Sequence, residues 1–145
     1  MIVRTHDEMF DLGRRIGAAC RVGDLIIING PLGAGKTVLA QGIGIALGIE
    51  GITSPTFVIA RTHKGRIPLI HVDAYRLLHD GKADLYLDDL DLDTALESAV
   101  TVVEWGGSEA ARLSQERLEI DIDRSQEERK VTIRPIGARW EGFQP

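Results

Sequence analysis

An apolar run that leads straight into a glycine-rich loop, "LIIINGPLGAGKT" at residues 25–37, most narrows what this chain can fold into. The portion "GPLGAGKT" matches G-x-x-x-x-G-K-[ST] at every fixed position, and it stands between a predicted strand and a predicted helix. Glycines in such a loop let backbone N–H groups point inward at phosphates, and the helix N-terminus adds positive potential. The stretch therefore predicts a P-loop.

The segments around this loop predict alternating helices and strands in the first half of the chain. "THDE" at residues 5–8 has the form of a capping box and predicts a helix to about Arg21. A strand is expected over 24–29, and the helix after the P-loop should run to about Leu47 and end at Gly48. Gly42 and Gly44 lie inside that helix, where we expect them to allow close packing against the sheet.

The second half predicts strands that pair as hairpins. "TFVIARTH" at 56–63 and "IPLIHVD" at 67–73 flank the turn "KGR", and "RLEIDID" and "KVTIRPI" flank a polar loop near the C-terminus. "AVTVVE" at 99–104 is a buried strand, and short helices are expected within 77–98 and 107–113. The fold class expected is α/β: a three-layer P-loop NTPase fold in which antiparallel strands flank central parallel strands, with residues 1–145 as a single P-loop ATPase domain.

Composition restricts the class of protein. The net charge is −5 over 145 residues, whereas a domain that grips nucleic acid by itself usually has a basic excess. The single cysteine, Cys20, cannot form an internal disulfide and is expected in the core. The N-terminus has no signal pattern, and the apolar runs are too short to span a bilayer. We expect a cytoplasmic protein with no membrane association and no direct grip on RNA.

The P-loop supplies the first set of candidate site residues. Lys36 should reach the β and γ phosphates, and the Thr37 hydroxyl should bind Mg²⁺. The only asparagine in the chain is Asn29, so the Asn-Lys-x-Asp element by which GTPases recognise guanine is missing and ATP is favoured. The residues expected to bind the nucleotide here are Gly33, Ala34, Gly35, Lys36, Thr37 and Val38.

Two carboxylates end two other predicted strands. Asp73 closes "IPLIHVD" and Glu104 closes "AVTVVE". In an open parallel sheet, ligands bind beyond the carboxyl ends of the strands, so both carboxylates should meet the P-loop there if the strands are parallel. Asp73 is expected to hold a metal-bound water, and Glu104 to bind the metal or orient the attacking water; the alternative for Glu104 is an ion pair with an Arg or Lys. Trp105 follows, beside the nucleotide or in the core.

The loop "SPTF" at 54–57 follows the P-loop helix closely. A threonine between that helix and an antiparallel strand is placed like a switch residue, which orders when the γ-phosphate and Mg²⁺ are present. Thr56 is therefore expected to sense the third phosphate. The alternative is a plain turn before a strand.

The ordered set "GPLGAGKT", "SPTF", "HVDAYR" and "VEW" resembles the TsaE (YjeE) family, over roughly residues 5 to 135. The family consists of bacterial P-loop ATPases needed for threonylcarbamoyl modification of adenosine in tRNA. The resemblance implies roles for Thr56 as the switch threonine and for Glu104 and Trp105 in the active site. It also implies a second acidic motif, made of His71, Asp73, Tyr75 and Arg76. Pro31 departs from the aspartate of many members.

The resemblance also implies cofactors and partners. ATP and Mg²⁺ would be the cofactors, and the partners would be a TsaD-like transferase and its TsaB-like companion. The chain would contact tRNA only indirectly, through that complex, and its ATP cycle would reset or drive the complex. ATP hydrolysis would be slow alone and stimulated by the partners. Two other functions stay open: a small-molecule P-loop kinase, and a nucleotide-dependent binding module with negligible hydrolysis.

Overall fold

The computed structural model of the chain describes residues 1–31, 33–52, 60–73, 96–104 and 114–145. Two α-helices and seven strands occur in these ranges, together with two 3-10 turns at Leu96–Ser98 and Ala138–Trp140. The helices are α1 (His6–Ala19) and α2 (Lys36–Ala46). The strands are β1 (Ile2–Val3), β2 (Leu25–Asn29), β3 (Ala60–His63), β4 (Leu69–Asp73), β5 (Val100–Glu104), β6 (Arg117–Asp123) and β7 (Arg129–Ile136).

All seven strands form one sheet in the order β1-β7-β6-β2-β5-β4-β3. The central strand β2 pairs in parallel with β5 and with β6, and β5 pairs in parallel with β4. The outer pairs are antiparallel: β3 with β4, β6 with β7 and β1 with β7. The expected α/β class, with a parallel centre flanked by antiparallel strands, is confirmed.

The element bounds agree with the sequence-based expectation to within a few residues. Strand β1 was missed because two residues show no periodicity. The connection between β3 and β4 spans residues 64–68 and is longer than the predicted three-residue turn, since β4 begins only after Pro68. The first part of the predicted strand 56–63 and the helices predicted at 107–113 and over most of 77–98 lie outside the described residues.

Helix α1 begins with the predicted cap in a shifted form. The Thr5 hydroxyl accepts from the Glu8 backbone N–H at 3.1 Å, and the Glu8 carboxylate accepts from the Arg4 N–H at 2.6 Å instead of from Thr5. The helix ends at Ala19, two residues before the predicted Arg21. No helix in the described part of the chain is long and apolar enough to cross a bilayer.

Both helices pack on the same face of the sheet. This face presents alternate residues of the central strands, and they form one buried cluster with apolar residues of α1 and α2, including Leu12, Ile16, Leu39, Ile43, Ile26, Ile28, Val102, Leu118 and Ile120. The intervening residues Leu25, Ile27, Val72 and Val103 are also buried, as expected for strands covered on both sides. The run "LIII" at residues 25–28 is continuously apolar for this reason.

Glycines bring α1 and α2 into backbone contact. A Cβ at Gly13 would lie 2.3 Å from the Leu39 carbonyl oxygen, and a Cβ at Gly42 would lie 2.1 Å from the Phe10 carbonyl oxygen. The expectation that Gly42 packs against the sheet is therefore wrong: it packs against α1. Gly44 faces the side chain of Ile52. Gly13 and Gly42 lower the helix propensity of α1 and α2, but larger residues at these two positions would separate the helices.

The C-terminal tail closes the end of the sheet opposite the P-loop. The Arg139 guanidinium donates to both carboxylate oxygens of Asp24, at 2.9 and 2.8 Å, and to the Ala19 carbonyl at 2.7 Å. It also stacks over the ring of Trp140, a residue that is 1% exposed and that meets Phe143 edge to face. The tail thus caps the end of α1 and the start of β2.

Cys20 lies in the same corner. Burial raises the pKa of its thiol to about 12, with a further contribution from the nearby Asp24 carboxylate. Its Sγ donates to the Ile16 carbonyl, and the residue belongs to the buried cluster. The expectation that Cys20 is a core residue is confirmed.

We expect Arg139→Ala to lower the free energy of unfolding by about 3 kcal/mol, because the buried Asp24 carboxylate loses its charged partner. Arg14 offers a matched control, since its ion pair with Asp11 is exposed on both sides. Arg14→Ala should cost about 0.5 kcal/mol. Urea unfolding of both variants measures the difference, and equal losses would contradict the role assigned to the Arg139 contact.

Candidate functional site

The glycine-rich loop has the backbone that its glycines make possible. Gly33 and Gly35 adopt φ angles of +78° and +110°, a region that side-chain-bearing residues rarely enter. Gly35 precedes the first residue of α2, and a Cβ there would lie 3.3 Å from the Met9 side chain. The loop is therefore held between the start of α2 and the side of α1.

Lys36 reaches back across this loop. Its ammonium donates to the carbonyl oxygens of Gly30 and Pro31 at 2.8 and 2.9 Å. Burial lowers the pKa of Lys36, and the carboxylates of Glu104 and Asp73 act in the opposite direction. The lysine is thus close enough to both strand-end carboxylates to be affected by their charge.

The two strand-end carboxylates lie side by side. Asp73 and Glu104 are Cα partners across the parallel pair β4–β5, and Glu104 is in turn the partner of Ile28 on β2. The P-loop begins two residues after Ile28. Adjacent strands are about 4.8 Å apart, so the sheet edge brings together Lys36 and both carboxylates. The expectation that the strands are parallel is confirmed.

Glu104 is nearly inaccessible, with 3% of the residue exposed, and His71 is fully buried. Ring nitrogen Nε2 of His71 contacts Oε2 of Glu104. A carboxylate oxygen only accepts hydrogen bonds, so Nε2–H is the donor. The alternative considered for Glu104 was an ion pair with an Arg or Lys; its hydrogen bond in this structure is to a histidine.

A pocket of about 230 Å³ adjoins the P-loop on the side of α1. Its walls are Thr5, His6 and Met9 on one side and Gly33, Gly35 and Val38 on the other. We call this the N-terminal pocket. Sites for whole drug-sized ligands occupy about 300–1,000 Å³, so the N-terminal pocket suits one part of a larger ligand.

Arginines surround the loop and the N-terminal pocket. Arg129, at the start of β7, lines the pocket and donates to the Gly33 carbonyl at 3.4 Å. Arg4 also lines it and pairs with Glu128 at 3.1 Å. The Arg124 guanidinium lies against Gly33. Sequence reasoning missed these residues, although β6 runs parallel to β2 and so delivers its arginine-bearing hairpin to the same edge.

The remaining predicted site residues divide into two groups. Ala34, Thr37 and Val38 lie on the loop or in the first turn of α2, where they were expected. Thr56 and Trp105 lie outside the described residues, as do the motif residues Tyr75 and Arg76.

Possible metal ligands are oxygen atoms at the same edge. Thr37, Asp73 and Glu104 would supply one hydroxyl and two carboxylates, which are the donors that Mg²⁺ prefers. The described ranges contain no group of three or more His, Cys, Asp and Glu arranged to hold a metal.

Comparison with known proteins identifies the family. The model of the family described as "Threonylcarbamoyl adenosine biosynthesis protein TsaE" matches residues 3–131. The chain belongs to the TsaE family. Its fold is similar to the crystal structure of YdiB from Bacillus subtilis, with a TM-score of 0.75 and 31% identity over 97% of this chain and 87% of that one.

Curated TsaE relatives cover most of the chain. A Mycobacterium bovis protein is 54% identical over 125 residues, which is 81% of this chain and 74% of the relative. A Streptomyces coelicolor protein is 48% identical over 141 residues, covering 91% and 93% of the two chains. Both relatives are named tRNA threonylcarbamoyladenosine biosynthesis protein TsaE. The resemblance stated from the four motifs is confirmed.

Proposed function

We propose that this TsaE-family protein binds and hydrolyses ATP to support threonylcarbamoyl modification of adenosine in tRNA, by acting on a TsaB–TsaD-like transferase complex. The observation that carries the proposal is the meeting of Lys36, Asp73 and Glu104 at one sheet edge beside the P-loop. A phosphate-binding lysine, an acidic residue near the metal and a group that orients water are parts that P-loop NTPases use for phosphoryl transfer. The names of the relatives supply the pathway.

The nucleotide would lie along two adjoining surfaces. Its phosphates would occupy the P-loop, where Gly33, Ala34, Gly35, Lys36 and Thr37 offer backbone N–H groups and an ammonium. Its nucleoside would enter the N-terminal pocket, next to Val38 and Met9. Arg129 would add positive charge at the junction of the two surfaces. ATP is preferred to GTP because the guanine-recognition element is missing from the sequence.

Mg²⁺ would be held by Thr37, Asp73 and Glu104 together with phosphate oxygens. When bound, the ion neutralises charge on the β and γ phosphates. Glu104 would orient the attacking water or accept its proton, since it lies one strand away from the P-loop strand. Asp73, half-buried beside it, would hold a water of the metal shell.

The roles proposed for Thr56 and Trp105 rest on the sequence alone. Thr56 would sense the γ-phosphate as a switch residue, and Trp105 would border the nucleotide directly after Glu104. The net charge of −5 supports contact with tRNA through the TsaD-like and TsaB-like partners rather than directly. We propose that the protein acts in the cytoplasm.

We expect Lys36→Ala to weaken ATP binding about 10- to 100-fold, because a charge-assisted hydrogen bond to phosphate is lost. Lys64→Ala is the matched control, since Lys64 is exposed in the turn after β3. Calorimetric titration with ATP measures both variants. Wild-type affinity in Lys36→Ala would remove the basis for assigning the phosphates to the P-loop.

The tryptophan of Val38→Trp should fill the N-terminal pocket. The variant therefore separates the contribution of this pocket to nucleotide affinity from the contribution of the P-loop. We expect ADP affinity to fall by about tenfold or more, while inorganic triphosphate binds as tightly as to the wild type. Val22→Trp is the control, because Val22 is exposed in the turn between α1 and β2. Equal ADP affinity in Val38→Trp and wild type would contradict the proposal that the nucleoside binds in this pocket.

The roles of the two carboxylates, Asp73 and Glu104, are distinguished by measuring ATP binding and hydrolysis with and without a TsaB–TsaD pair. Asp73→Ala should reduce the gain in ATP affinity that Mg²⁺ provides. Glu104→Gln should leave ATP binding close to normal and slow stimulated hydrolysis about 100-fold or more. Glu97→Ala, a change in the exposed turn before β5, is the control.

Three other outcomes of these assays would contradict the proposal. Wild-type hydrolysis in both carboxylate variants would show that this sheet edge is not the catalytic site. Phosphate transfer to a small acceptor would indicate a kinase. ATP binding without hydrolysis, even with the partners present, would indicate a binding module.

A further inference from the structure

His71 occupies a strand position where an apolar residue would be expected. It lies in the middle of β4, with the buried residues Ile70 and Val72 on either side. Its Cα partner on β5 is Val102, two residues before Glu104, so His71 and Glu104 project from the same face of the sheet. The ring is therefore placed diagonally next to the carboxylate.

The two ring nitrogens of His71 differ in their hydrogen bonding. Nε2 donates to Glu104, whereas Nδ1 is buried and has no hydrogen-bond partner among the described residues. A buried polar atom without a partner costs about 1–3 kcal/mol. The ring of His71 therefore does not satisfy its own hydrogen-bonding capacity at this position, and its one side-chain hydrogen bond to another described residue is to Glu104.

The Lys36 ammonium and the Glu104 carboxylate make hydrogen bonds to different described residues. Lys36 donates to the carbonyls of Gly30 and Pro31, and Glu104 accepts from His71. Attraction between buried charges is strong, and a carboxylate without a fixed donor would turn toward the ammonium. A hydrogen bond on Oε2 opposes that movement.

We propose that His71 is a positioning residue for Glu104, which fixes Oε2 of the carboxylate and leaves Oε1 for the reacting water or the metal. The inference rests on the proposed ATPase function. His71 acts through Glu104 and touches neither the nucleotide nor the water. Precise placement matters because a small displacement of a water-orienting group lowers the rate of reaction steeply.

Two carboxamide variants separate positioning from simple packing. The side-chain nitrogen of Gln lies about as far from the backbone as Nε2, whereas that of Asn lies at the distance of Nδ1. His71→Asn should lower the kcat of partner-stimulated hydrolysis about 10- to 100-fold, as loss of such supporting contacts usually does. His71→Gln should stay within about threefold of the wild type, and the KM for ATP should change little in either variant.

A second measurement needs neither nucleotide nor catalysis. In protein labelled with ¹⁵N-histidine, one ring should carry its proton on Nε2 and protect it from solvent exchange. The signal is assigned to His71 by its disappearance in His71→Gln. In Glu104→Ala the protection should be lost, because the acceptor is gone.

The results distinguish failure of the inference from failure of the proposed function. If His71→Asn hydrolyses ATP like the wild type while Glu104→Gln is slow, His71 does not position Glu104. Equal impairment of the Asn and Gln variants would show a packing role and overturn the inference as well. If the wild type does not hydrolyse ATP with its partners, the proposed function fails. In that case, an Nε2 proton of His71 that exchanges freely with solvent in the wild type would still contradict the hydrogen bond between His71 and Glu104.

Discussion

The register of three parallel strands determines where every group of the candidate site lies. Strands β2, β5 and β4 pair so that Ile28, Glu104 and Asp73 are successive neighbours across the sheet. A shift of one residue in either pairing would turn a carboxylate to the opposite face and away from Lys36. The hydrogen bonds between strands do not by themselves select a register. The packing of their side chains does, because the central strands are buried on both sides and each face of the sheet must be filled.

Helix packing adds a second constraint to the same site. The P-loop lies between α2, which it begins, and α1, whose Met9 contacts Gly35. The distance between these helices is set by Gly13 and Gly42, at backbone contact. The cap at Thr5 fixes the start of α1, and the N-terminal pocket opens beside that cap. The width of the pocket thus depends on glycines that are remote from it.

Much of this arrangement could be predicted from the sequence. The P-loop pattern is long enough to specify a strand, a loop and a helix, and apolar strands ending in Asp73 and Glu104 indicated a shared edge. The hydrogen bond between His71 and Glu104 could not be predicted, because it depends on a diagonal contact across two strands 33 residues apart in the chain. Arg129 was missed for the same reason, since its position follows from the pairing of β6 with β2. Gly42 was assigned to the wrong neighbour because a glycine inside a helix indicates close packing but does not identify the element that packs against it.

The pairing of distant segments has a consequence for how the protein folds. Strand β1 pairs with β7, and the Asp24 carboxylate before β2 pairs with Arg139, which is 115 residues away in the chain. Contacts between segments so distant in sequence form slowly, because the entropy of closing a long loop must be lost before such contacts stabilise the chain. Until Arg139 docks, the Asp24 carboxylate has no guanidinium partner and the site for Trp140 is open. This corner of the core is therefore completed late in folding.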